Sequence, residues 1–169
     1  MEQLLNWIDP DKLDDIGLSS NPSDGALDLL FKHPEKIVWF WLSSNPSDGA
    51  LELLEKNPEK ITWYMLSSNP CDKALELFEK FEKNQKKIDW DWLSSNPSDR
   101  ALELLEQNPE KIRWRSLSCN SHPKALELLE QNPDNIDWHY LSRNLLIFCK
   151  QPKGAKRNNL TSITPDSFL

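Results

Sequence analysis

The sequence predicts an all-α fold, a short α-solenoid of 24-residue two-helix repeats with one longer helix and one short α or 3₁₀ helix per unit. Two observations carry this. The run L-S-S-N-P-S-D-G-A-L-E-L-L-E-K-N-P-E-K-I-T-W recurs with its asparagine at Asn21, Asn45, Asn69, Asn96, Asn120 and Asn144, at intervals of 24, 24, 27, 24 and 24 residues. Trp39, Trp63, Trp90, Trp114 and Trp138 keep the same register, each with an isoleucine two residues before it and a leucine three after it. A fixed period of this length marks a stack of supersecondary units that bury their apolar faces against one another.

Taken in order, residues 1–20 read as an amino-terminal capping half-repeat, in which Asp15 stands where a Trp would fall, as suits a solvated end. Residues 21–143 hold five units, 21–44, 45–68, 69–95, 96–119 and 120–143. Within a unit, Asn45 is the expected N-cap of the longer helix, Pro46 its first helical position and Asp48 a favourable first-turn charge; Asn21, Asn69, Asn96 and Asn120 take the same role. That helix is expected to run to about Lys56, where Asn57-Pro58 stops it, with Ala50, Leu51, Leu53 and Leu54 making a wide apolar face. Asp28 with Lys32, Glu52 with Lys56 and Glu76 with Lys80 stand at i,i+4 with the acid first, each pair worth about 0.3–0.5 kcal/mol. The shorter helix begins near Pro58 or Thr62 and turns its apolar residues inward. The expected repeat core is therefore Ile37, Trp39 and Leu42; Ile61, Trp63 and Leu66; Ile88, Trp90 and Leu93; Ile112, Trp114 and Leu117; and Ile136, Trp138 and Leu141.

Two places depart from the pattern. The third unit carries three extra residues, nearly one helical turn, and lacks the Asn-Pro stop, so its longer helix is expected to run on through Phe81-Glu82-Lys83. At the carboxyl end Asn144-Leu145 replaces Asn-Pro, and residues 144–169 read as a degenerate cap followed by a basic, flexible tail with Lys150, Lys153, Lys156 and Arg157.

A residue repeated in equivalent places is scaffold, and no local constellation breaks the repeat, so no catalytic, cofactor-binding or metal-binding residues are assigned and the chain is read as a non-enzyme. His33, His122 and His139 occupy different repeat positions and form no HxxxH or HExxH spacing. The odd set Cys71, Cys119 and Cys149 has no CxxC spacing and reads as reduced thiols. The net charge of −7 disfavours nucleic acid, the lack of a long apolar run disfavours a membrane, and a soluble intracellular protein is expected.

The run L-S-x-N-P-x-x-A-L-E-L-L-E-x-N-P-x-K-I-x-W, over about residues 8–144, resembles the tandem Asn-Pro/Trp repeats of giant nucleocytoplasmic DNA viruses. It is also similar, less closely, to the leucine-rich repeat variant, whose 24-residue units alternate α and 3₁₀ helices in a superhelix. These resemblances imply a helical superhelix and bring no catalytic residues. The viral one implies a setting in the host cytoplasm or the virion.

Two functions remain. The first is a protein–protein interaction scaffold with a protein partner. The alternative is a structural or assembly component of a virus particle or viral factory that self-associates. The candidate contacts lie two residues after each recurring Trp, at Trp41, Met65, Trp92 and Tyr140, with Ser116 completing the column. A step of two turns a helix by about 200°, so these side chains point away from the tryptophans. They either fill the crevice between units or form an apolar ridge.

Overall fold

A computed structural model describes residues 4–81 and 87–148. Among them are eleven α-helices and no strand. The long helices are α2 (Asp24–Lys32), α4 (Asp48–Lys56), α6 (Asp72–Lys80), α8 (Asp99–Gln107) and α10 (Pro123–Gln131). Between them lie the short helices α1 (Asp15–Ser20), α3 (Trp39–Leu42), α5 (Trp63–Ser67), α7 (Trp90–Ser95), α9 (Trp114–Ser118) and α11 (Trp138–Leu141). Long helices pack on long ones, α2 on α4, α4 on α6 and α6 on α8. Short helices do likewise, α5 on α7, α7 on α9 and α9 on α11. The chain is an all-helical repeat stack with two parallel layers.

The first, second, fourth and fifth units each have three pieces rather than two. After α4, Asn57 leaves helical geometry at φ −131°, ψ 59°, because a residue before proline avoids the α region. Its side-chain amide donates back to Leu53 O at 2.8 Å and helps close the helix, as Asn108 and Asn132 do in their units. Pro58–Lys60 then form a single 3₁₀ turn. Ile61 and Thr62 are extended before α5 begins at Trp63.

A nine-residue helix is too short to be stable alone, so the stack must hold it. Ala50, Leu54, Leu66, Leu75, Leu93, Leu102, Leu105 and Leu117 are completely buried along the axis between the two layers. Phe78 takes the place of Leu54 in the third unit and is equally buried.

Three expectations are corrected. The N-caps are not Asn21, Asn45, Asn69, Asn96 and Asn120 but the residues two further on, Ser23, Ser47, Cys71, Ser98 and His122. Pro46 therefore precedes the helix instead of opening it. The third long helix does not run on: α6 ends at Lys80 with Phe81 as its C-cap, the same nine residues as its neighbours. Phe81 instead turns its ring toward Trp63, with centroids 6.2 Å apart. Glu82 and Lys83 lie outside the described residues, as does the tail from Cys149 onward. Finally, of the three i,i+4 pairs, Glu52–Lys56 closes at 2.5 Å, whereas Lys80 reaches across to Glu55 of the preceding unit.

Candidate protein-contact surface

The displaced asparagines have a different role from N-capping. Each lies at the C-terminal end of a short helix, and its Oδ1 accepts the backbone N–H two residues on, as Asn45 does from Ser47 at 3.0 Å. From Asn45 onward, its Nδ2 donates to two carbonyls at the end of the preceding short helix. Asn45 bonds Ser19 O and Asn21 O, Asn69 bonds Ser43 O and Asn45 O, and Asn96 bonds Ser67 O and Asn69 O. Asn120 and Asn144 continue to Ser94 O with Asn96 O, and to Ser118 O with Asn120 O. A serine ladder runs beside it. The hydroxyls of Ser19, Ser43, Ser67, Ser94 and Ser118 accept the N–H of Val38, Thr62, Asp89, Arg113 and Asp137 in the next unit, at 2.9–3.1 Å. All five serines are buried. These bonds fix the rotation between units and so decide which side chains face out.

On the long-helix face the charges largely pair across units. Lys73 bonds Asp48 at 2.7 Å, Arg100 grips Glu79 and Glu103, and His122 Nε2 lies 3.0 Å from Asp99. The hydrogen bond and attraction of Asp48 raise the Lys73 pKa above its ordinary value. A groove of about 1080 Å³ between these helices is acidic, with Asp48, Glu52, Asp72 and Glu76 on its walls.

The short-helix face is different. Trp41 and Trp92, two of the candidate contacts, are 37% and 48% exposed, while Met65, Ser116 and Tyr140 are half-buried. The column is open to solvent at Trp41 and Trp92 and partly covered at the other three positions. One neighbouring column was missed in the sequence: Phe40 and Tyr64, one residue after the recurring Trp, are also exposed. Phe40 stacks edge-on against Trp41 at 5.1 Å and against Tyr64 of the next unit at 5.8 Å, so the rings form one aromatic strip across α3 and α5. The signal was two aromatics 24 residues apart in one register. Toward the carboxyl end the same columns turn polar. Ser116 donates to Asp91 at 3.3 Å, and Arg115 lies 4.4 Å over the Tyr140 ring and hydrogen-bonds its hydroxyl. That bond raises the Arg115 pKa further above its ordinary value.

The expected core columns are buried or half-buried at every position except one. Trp63 is 8% exposed, packed on Phe78 at 5.3 Å, whereas Trp138 is 68% exposed. Trp138 is thus corrected from core to surface, because Trp63 is covered by Phe78 and Phe81 of the unit after it, whereas only the 3₁₀ turn Leu145–Ile147 and no described α-helix follows α11.

Among the described residues no three His, Cys, Asp or Glu groups converge as metal ligands, and no helix is long and apolar enough to cross a membrane. Cys71 and Cys119 are free thiols, and burial pushes the Cys119 pKa up, away from the reactive thiolate. Comparison with known proteins gives no matching family model, no similar curated protein and no similar solved structure, so the geometry of the stack and its aromatic strip carry the functional argument.

Proposed function

We propose that this chain is a non-enzymatic protein-binding scaffold whose contact surface is the aromatic strip on the short-helix layer, Phe40, Trp41, Tyr64 and Trp92. One observation carries the reading: the core columns on either side are buried or half-buried on these helices, yet four large aromatic side chains stand exposed on three successive short helices. Large aromatics left at solvent in adjoining positions are the usual anchors of a protein interface. The occupant that fits is a protein segment offering apolar side chains, for example one face of an amphipathic helix. A viral setting, with a self-associating structural part as the second reading, follows from the sequence resemblance.

The double variant Trp41→Ala with Trp92→Ala tests this. Exposed side chains contribute little to packing, so its unfolding free energy is expected to stay within about 1 kcal/mol of the parent per site. Loss of two anchors is expected to weaken partner binding by at least roughly 30-fold for each anchor, the effect of about 2 kcal/mol. Unfolding of the variant, or binding equal to that of the parent, removes these residues as the contact.

A further inference from the structure

We infer that the two ends of the stack bind each other, so that copies of this chain associate head to tail through a junction chemically equivalent to those inside the repeat. This is independent of the aromatic strip. It rests on what each internal junction contains and what each end lacks. Inside the stack, every junction closes with the same bonds: an Asn amide to two carbonyls at the end of the preceding short helix, and a backbone N–H to a serine hydroxyl there. At the amino end, the equivalent donors are Asn21 Nδ2 and Asp14 N. Neither meets an acceptor among the described residues, although Asn21 Oδ1 still accepts from Ser23 N at 3.0 Å. At the carboxyl end, the equivalent acceptors are Ser142 Oγ, Ser142 O and Asn144 O. Among the described residues the Ser142 hydroxyl only donates, to His139 O, and Asn144 O receives only a long bond of 3.4 Å from Ile147 N. One end therefore holds the donors and the other the acceptors of a sixth junction.

The apolar surfaces agree. Beside Asn21 is a groove of about 920 Å³ with Leu4, Leu13, Leu18 and Leu29 on its walls. The opposite end leaves Trp138, Leu145 and Phe148 largely in water. Charge agrees too, since Asp14 and Asp15 stand at the amino end, while the exposed Arg143, whose guanidinium contacts His139 and Tyr140, follows Ser142 in the chain at the carboxyl end. The two contact patches differ, so the interface is heterologous and does not stop at a dimer unless a ring closes.

The measurement is sedimentation equilibrium of the full chain over a range of concentrations, with one variant for each end. Asn21→Asp keeps the acceptor for Ser23 N but loses the donor and points a charge at the incoming carbonyls. Trp138→Glu removes apolar area and sets a charge against Asp14 and Asp15. Circular dichroism checks that both remain folded. The parent is expected to grow beyond dimer mass with concentration, and each variant alone to stay at monomer mass. An equimolar mixture of the two is expected to reach dimer mass and stop, because each variant retains the end that the other lacks. The Trp41→Ala with Trp92→Ala variant is expected to grow as the parent does, which separates this junction from the aromatic strip. A parent that stays monomeric at every concentration overturns the inference, as does either end variant that still associates alone.

Discussion

Replacing Asn96 with Ala is expected to cost about 3–5 kcal/mol, whereas the same change at Asn21 is expected to cost less than about 1 kcal/mol. Both residues occupy the same repeat position, and a local reading assigns them one value. The structure separates them. Asn96 is 2% exposed, donates to Ser67 O at 2.9 Å and Asn69 O at 2.8 Å, and accepts from Ser98 N at 2.9 Å. Alanine leaves three buried backbone groups without partners, and each unmade bond in such a place costs roughly 1–3 kcal/mol. Asn21 satisfies only Ser23 N, at an exposed position where water replaces it. Urea unfolding at low protein concentration, with the slope checked for two-state behaviour, measures both changes. Equal losses at the two positions would mean that the asparagines act only as local turns and that the ladder does not couple the units.

The contrast also shows which parts of this fold a sequence discloses. The period, the unit boundaries, the stop at Asn57-Pro58 and the apolar face of α4 are legible, because each rests on residues a few positions apart. The role of the asparagines is not. Asparagine favours N-caps and Asx turns for the same local reason, and a window of one unit cannot see that the decisive acceptors lie 24 and 26 residues back. The aromatic strip was half visible. Trp41 and Trp92 follow from the angular step after the recurring Trp, but the pairing of Phe40 with Tyr64 depends on the rotation between units, which the ladders set. The third unit misled for a related reason. Three added residues match a helical turn in number, yet α6 ends at Lys80, as its neighbours end in their units, and Phe81 is held against Trp63.

Trp63→Ala is expected to cost about 3–5 kcal/mol, the range for emptying a buried aromatic site, while Trp138→Ala is expected to stay within about 0.5 kcal/mol of the parent. The two are the same residue in the same column of the repeat. Trp63 has Phe78 at 5.3 Å, Phe81 at 6.2 Å and the Lys87 ammonium 5.5 Å from its ring, so truncation removes packing from three neighbours at once. Phe78 is itself 1% exposed and would line the resulting void, where lost dispersion contacts are not restored by water. Trp138 has no described α-helix beyond it to supply such neighbours, and its 68% exposure leaves little apolar area to lose on truncation. Because the stack is quasi-one-dimensional, the loss at Trp63 is also expected to weaken coupling between the units on either side of it. Denaturant unfolding of that variant should then broaden or split into two steps, while that of Trp138→Ala keeps the parent's midpoint and slope. The end variant must be measured dilute, where head-to-tail contacts are absent. A large loss at Trp138 under that condition would show that its ring is buried in the monomer, and the rule that each unit is covered by the next would fail at the carboxyl end.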